Sequence, residues 1–185
     1  PFIILLAELE TDAAVEILRT VGKEKRELII DALDEDIRKE IQLIASFDED
    51  EIGSKMTTNC IILRENLTVK DAMKELVRQA EENDNISTLF VVDDTDCFYG
   101  AIALKDLITA RSHVPLEHLI ATSFPYVYAN ETIEACMEQL KDYSEDLIPV
   151  LDNQNKLLGV ITAQSLIDVV DEEMGEDYAK LAGLT

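Results

Sequence analysis

An internal duplication constrains this 185-residue chain more than any other feature of its sequence. Residues 52–76 align without a gap on residues 116–140, with identities at Thr58/Thr122, Asn66/Asn130, Thr68/Thr132, Met73/Met137 and Leu76/Leu140. After a five-residue change of spacing, residues 90–109 align on 149–168, where Val91/Val150, Asp93/Asp152, Gly100/Gly159, Ile102/Ile161, Leu107/Leu166 and Ile108/Ile167 match. Eleven identities in register, with apolar positions agreeing between them, mark two copies of one supersecondary unit.

Each copy has the same order of elements. A short apolar strand comes first, near Cys60–Leu63 and Tyr126–Tyr128. In copy one, Val69, Ala72, Met73, Leu76, Val77 and Ala80 then recur at the spacing of one helix face, and Ile133, Cys136, Met137 and Leu140 repeat the pattern. Thr68 with Asp71 gives the first of these helices a capping-box-like start. Apolar runs at Thr88–Val92 and Leu147–Leu151 follow, each joined by a short polar turn to a Gly-bearing strand, Phe98–Ala103 and Leu157–Thr162. Strand, turn and strand predict a hairpin, and a closing helix completes a β-α-β-β-α unit. The predicted class is therefore α+β (α/β), two such units preceded by a small all-α domain. Residues 1–51 form that domain, with helical stripes at Leu9, Ala13, Ala14, Ile17, Leu18 and Val21 and at Ile37, Ile41 and Ile44. The acidic run Asp48–Glu51 joins it to the repeats.

Charge narrows the partners. Thirty-nine acids against 16 basic residues leave a formal net charge of -23, a field that repels nucleic acid and anionic membrane surfaces and attracts cations. The longest apolar run, Phe2–Ala7, is far short of the ~20 residues that span a bilayer, so direct membrane insertion is not expected. With no initiator Met and no signal-peptide pattern, the chain reads as a fragment whose membrane portion, if it has one, lies elsewhere. Cys60, Cys97 and Cys136 lack any CxxC spacing and are expected as small buried hydrophobes in a reducing compartment.

The acids concentrate at one place. Asp168, Asp171, Glu172, Glu173, Glu176 and Asp177 put six carboxylates in ten positions of a stretch, Leu157–Ala179, that has no basic residue. On a helix these fall into i,i+3 and i,i+4 pairs, and two carboxylates ~5 Å apart repel by roughly 3 kcal/mol at an effective dielectric near 20. Such a face is either simply solvated or neutralised by cations. Hard carboxylate oxygens suit Mg²⁺ or another divalent ion, and no twelve-residue EF-hand loop is present. No nucleophile constellation or Gly-rich phosphate loop points to an enzyme.

The segments Ile148–Asp152, Leu157–Thr162, Leu89–Asp93 and Gly100–Leu107 resemble the cystathionine-β-synthase (CBS) domain, which implies a tandem pair related by a pseudo-twofold. Leu33–Ile41, the junction Asp48–Thr57 and the exit Asp168–Asp177 resemble the corresponding parts of MgtE-type magnesium transporters. That resemblance implies a helical N domain over 1–51, CBS modules over 52–113 and 114–174, and the start of a connecting helix over 175–185. It implies a homodimer on the cytoplasmic face of the membrane, acting on its own membrane domain and binding Mg²⁺ to hold a gate closed. The positions it marks as metal ligands are Asp168, Glu173, Glu176, Asp177, Glu134, Asp12 and Glu16, whereas Ser144 and Ser165 stand where acids are expected. A rival reading is an adenosine nucleotide, ATP or AMP, between the modules. For that, copy one keeps Asp106 but has Ala103 in place of the hydroxyl, and copy two keeps Thr162 but has Ser165 in place of the acid.

Overall fold

The computed structural model describes the backbone of residues 2–9, 11–181 and 183, and the side chains of these residues except 12, 173 and 176–181. Four helices come first: α1 (Phe2–Glu8), α2 (Thr11–Arg19), α3 (Lys23–Asp31) and α4 (Glu35–Ala45). α2 and α4 pack together through buried Ala14, Val15, Leu18, Ile41 and Ile44. The predicted stripe of α2 is rotated: Val15 is buried, while Leu9 and Ile17 stand 36% exposed. A nine-residue helix packed chiefly on α4 buries only the edge that faces its neighbours. Arg26 then closes the end of α2, its guanidinium donating to the carbonyls of Leu18 at 3.0 Å and Val21 at 3.2 Å. A cation there meets both the orphan carbonyls and the negative end of the helix dipole.

The repeats follow a 3₁₀ turn (Ile52–Lys55). The first comprises β1 (Ile61–Arg64), α5 (Val69–Ala80), β2 (Thr88–Val92), β3 (Phe98–Ala103) and α6 (Leu104–Thr109). The second comprises β4 (Val127–Tyr128), α7 (Ile133–Leu140), β5 (Leu147–Leu151), β6 (Leu157–Thr162) and α8 (Ala163–Leu181). Each has a three-stranded sheet whose first pair is parallel and whose second is an antiparallel hairpin. The equivalence extends to atoms. Thr68 and Thr132 cap α5 and α7 by accepting from the amides of Asp71 and Ala135. The two hairpins shift register at the same step, Val91/Val92 and Val150/Leu151, and both turns place a residue at φ 65°, Asp96 and Asn155. Those are residue types that tolerate the left-handed region. Asp93 and Asp152 each receive two turn amides on one carboxylate oxygen. The Thr95 hydroxyl and these amides hold the Asp93 carboxyl below the usual carboxylate range.

The modules are joined by exchange. The strand entering module one pairs with module two, Thr57 and Val160 trading both amide–carbonyl bonds at 2.9 Å. The strand entering module two pairs back on module one, Ala121 and Ala101 doing the same at 2.8 and 3.0 Å. Between them the hairpin turns touch, Phe98 N–H donating to Asn155 at 2.8 Å and Leu157 N–H to Asp96 at 3.2 Å. A shared core of Cys60, Phe90, Ala101, Leu147 and Val160 fills the space beneath. Gly100 and Gly159 make the exchange possible, because a Cβ on either would lie 2.5 or 2.6 Å from the carbonyl oxygen of Ala121 or Thr57.

Cys60 and Cys136 are buried as expected, and burial pushes both thiols up to about 12. Cys97 is not a core residue: it sits half-buried on the first hairpin turn, its thiol 3.5 Å from the Gln154 carbonyl of the other module. The turn lies on the pseudo-twofold, where the chain is close to solvent.

Three outcomes follow from this packing. Gly159→Ala should cost about 1–3 kcal/mol by urea denaturation, since rigid backbone faces the new methyl. Gly175→Ala, with nothing within 4 Å of the new Cβ, should raise stability by about 0.5–1 kcal/mol through helix propensity. In an alkylation time course of the native protein read by mass spectrometry, Cys97 should be modified well before Cys60 and Cys136; equal rates for all three would contradict this placement.

Candidate functional site

The acidic junction does not run as a free linker. Asp50 accepts the amide of Ile133, the first residue of α7, at 2.8 Å, while Ile52 and Gly53 donate to the carbonyls of Glu131 and Ala129 at 2.8 Å. Gly53 is wedged so closely that a Cβ would come within 2.7 Å of the Phe47 ring and 2.9 Å of the Ala129 oxygen. The buried Ser54 hydroxyl closes the turn on the Glu51 carbonyl at 2.8 Å. The junction is thereby stitched to the second module, not to the first, which it precedes in the chain.

This stitching brings α2, the junction, α7 and α8 around one opening of about 810 Å³. Val15, Ile133 and Val169 supply its apolar lining. Its acids come from every wall: Glu16 from α2, Glu49 and Asp50 from the junction, Glu134 from α7 and Glu172 from α8. Among the described residues, two cations stand with them. Arg19 donates to the Phe47 carbonyl at 2.8 Å and lies 3.5 Å from a Glu49 oxygen, which ties α2 to the junction. The Lys55 ammonium lies 4.0 Å from a Glu172 oxygen, a contact between the junction and α8.

Of the residues predicted as metal ligands, Glu16 and Glu134 line this opening, both exposed to solvent. Asp168 does not line it; it is exposed on the first turns of α8, where it accepts from the Gln164 amide at 3.0 Å. The side chains of Asp12, Glu173, Glu176 and Asp177 lie outside the described residues. Among the described residues, no group of three or more His, Cys, Asp or Glu is placed to hold a metal ion. The described acids therefore surround the opening instead of converging on a point. A divalent ion would meet them through its own water shell, the usual habit of Mg²⁺, or after the walls approach.

Sequence reasoning treated Glu49 and Asp50 as linker and missed their place in the cleft. It also missed Arg19, which meets Glu49 of the junction, and Lys55, which meets Glu172 of the acidic helix more than a hundred residues away along the chain. Nothing in the periodicity signals such a pairing. The nucleotide candidates are separated by module. Asp106 is exposed at the start of α6, and the half-buried Thr162 exchanges hydrogen bonds with Ser165, donating to its hydroxyl at 3.0 Å and accepting its amide at 3.1 Å.

No helix among the described residues is long and apolar enough to cross a membrane. Two family models match the chain: the CBS domain over residues 50–113 and 116–172, and the MgtE intracellular N domain over residues 3–50. The magnesium transporter MgtE of Thermus thermophilus is 30% identical over 176 residues, covering 94% of this chain and 39% of the transporter. The chain thus spans well under half the length of that relative. Among solved structures, the soluble part of a magnesium transporter superposes with a TM-score of 0.84 at 30% identity, covering 91% of this chain and 66% of that one. The cytosolic domain of the Mg²⁺ channel MgtE in complex with ATP superposes with a TM-score of 0.81 at 30% identity, covering 89% and 67%.

Replacing Arg19 by Met should cost about 1–2 kcal/mol in urea denaturation, because a half-buried charged donor leaves the Phe47 carbonyl unmatched. Amide exchange of α2 should rise with it.

Proposed function

The chain belongs to the MgtE family, whose intracellular N domain and CBS pair it carries, and on that premise we propose that it is the Mg²⁺-sensing regulatory region of a magnesium transporter. In this reading residues 1–51 form the helical arm, 52–113 and 114–174 the two CBS modules, and 175–185 the beginning of the connection to a membrane domain. The region works as a homodimer on the cytoplasmic face of the membrane and carries out no catalysis of its own.

The observation that carries the proposal is the acid-lined opening between α2, the junction, α7 and α8. Without divalent ions, its carboxylates repel across the gap and favour an open arrangement. Ions that reach several walls at once stabilise the closed arrangement, because a ligand shifts the equilibrium toward the state it binds better. Glu16 and Glu134 contribute from opposite elements. Asp168, Glu173, Glu176, Asp177 and Asp12 supply the surrounding negative field and further oxygen ligands. Closing would then reach the membrane domain along α8, the element that both lines the opening and leads out of the second module.

Amide exchange of the 185-residue chain tests this directly. Moving from chelator to millimolar Mg²⁺ should protect α2, the junction and the cleft-facing part of α8, and Glu16→Gln with Glu134→Gln should raise the Mg²⁺ midpoint several-fold. Identical exchange with and without Mg²⁺ would remove the proposal.

A second reading rests on the CBS pair itself, since a related cytosolic domain was solved with ATP. The Thr162 hydroxyl and the Asp106 carboxylate are the groups available to grip phosphate and ribose. The net charge of -23 opposes a polyphosphate. Equilibrium dialysis with ATP and with AMP, repeated on Thr162→Val, decides it: binding that the substitution abolishes would establish the nucleotide site.

A further inference from the structure

Lys55 occupies a position that the chemistry of the cleft makes conspicuous. Its backbone ends the 3₁₀ turn Ile52–Lys55, whose three preceding residues are all buried. That turn is fixed to the second module by the bonds from Ile52 and Gly53 to Glu131 and Ala129. The side chain is only 24% exposed, although its partner Glu172 is 63% exposed. The lysine stem therefore lies against the protein, and its ammonium is delivered to the opening from a fixed root.

The other cation in the opening is already committed. Arg19 is held by the Phe47 carbonyl and by Glu49, on the side of α2. α8 offers no cation of its own between Ala163 and Ala179. On the α8 side of the cleft, Lys55 is thus the positive charge that the described residues supply to an acidic helix. An ammonium is a compact point charge with three donors on a flexible stem, and unlike a guanidinium it forms no bidentate lock on a carboxylate. At 4.0 Å from Glu172 it neutralises without binding tightly, and a hydrated divalent ion can take its place.

We propose that Lys55 is a built-in counter-ion that competes with the divalent cation for Glu172 and so sets the concentration at which the cleft closes. The proposal rests on the reading of the cleft as a divalent-cation site. With the cleft empty of metal, the ammonium bridges the junction to α8 and keeps the helix loosely docked. When a divalent ion enters, the ammonium must either leave Glu172 or remain and repel the ion. Both routes weaken binding, so the lysine holds the response threshold high. A neutral side chain of the same length removes this opposition.

The test is a pair of readouts that move in opposite directions. In chelator, Lys55→Met should increase amide exchange of the cleft-facing part of α8, because the bridge to Glu172 is gone. In a Mg²⁺ titration followed by the same exchange, Lys55→Met should close at a concentration about tenfold lower than the unsubstituted chain, the size expected for removing one positive charge ~6 Å from a divalent ion at the dielectric of water. Lys55→Arg, which keeps the charge, should retain the original midpoint within about twofold. A purely structural lysine would move both readouts the same way, with looser docking and a higher Mg²⁺ midpoint, and that result would overturn the proposal. An unchanged midpoint in Lys55→Met would overturn it as well. If the unsubstituted chain itself fails to respond to Mg²⁺, the cation reading of the cleft falls. A response in that chain with no effect of Lys55 removes only the role of the lysine. Far-ultraviolet circular dichroism of each variant confirms that the fold is retained.

Discussion

The exchange of entering strands between the two modules is the constraint on which the rest of the structure depends. Thr57 bonds to Val160 of the second module and Ala121 to Ala101 of the first, so neither module completes its surroundings without the other. Two glycines at equivalent positions create the room for it, and Phe90 fills the centre of the shared core, in edge-on contact with Phe124. Backbone pairing of this kind leaves little freedom of relative rotation, because buried amides and carbonyls must remain matched. The pair behaves as one platform. It is this platform that carries the junction, and through the junction the helical arm.

The cleft is then a result of where the chain enters. Because the junction is sewn to the loop before α7, the helical arm is delivered next to α7 and α8 instead of next to the module that follows it in sequence. Acids from four elements consequently share one opening of about 810 Å³. Opposing this accumulation are hydrogen bonds of the junction backbone and the two contacts made by Arg19 and Lys55. Ion pairs whose carboxylate stands in solvent, as Glu49 and Glu172 do, contribute little, typically under ~1 kcal/mol each. The arm is therefore attached by the junction backbone and by an apolar side whose Leu6, Ala14, Val15, Leu18, Ile41 and Ile44 share one core with Ile133 and Val169 of the second module, while its polar contacts along the cleft stay weak.

Much of this was legible in the residues. Apolar runs bounded by polar turns located β2, β3, β5 and β6 to their terminal residues, and the helical stripe from Val69 to Ala80 after the Thr68 cap coincides with α5. The duplication implied two equivalent modules, and equivalent turns at Asp96 and Asn155 carry that equivalence to single dihedral angles. What could not be read was anything decided by chain crossing. A strand that pairs with the other module leaves no local pattern, so the partners of Thr57 and Ala121 were invisible. For the same reason the sequence marked Glu16 and Glu134 as acids of interest but offered no sign that Glu49, Asp50, Arg19 and Lys55 would meet them. The rotation of the buried face of α2 was equally hidden, since a short helix takes its orientation from its neighbour. Cys97 departed from its expected burial because the hairpin turn that bears it lies on the pseudo-twofold instead of under a sheet.

α8 runs without a break from Ala163 to Leu181, nineteen residues that span about 28 Å. Its root follows directly on β6, Val169 is buried, and Glu172 faces the cleft about halfway between Ala163 and Leu181. Such a rod is a lever whose input point lies near its middle. A tilt of about 10° at the root, a movement of a little over ~2 Å beside Glu172, carries the tip through about 5 Å, close to the rise of one helical turn. Gly175, just beyond the input point, is the weakest link of that rod, since glycine costs a helix about 1 kcal/mol relative to alanine. The lever thus has a compliant joint between the place where force enters and the place where it is delivered. In any tilt of α8 about its root, the stiffness of that joint would set how much of the displacement survives to the far end.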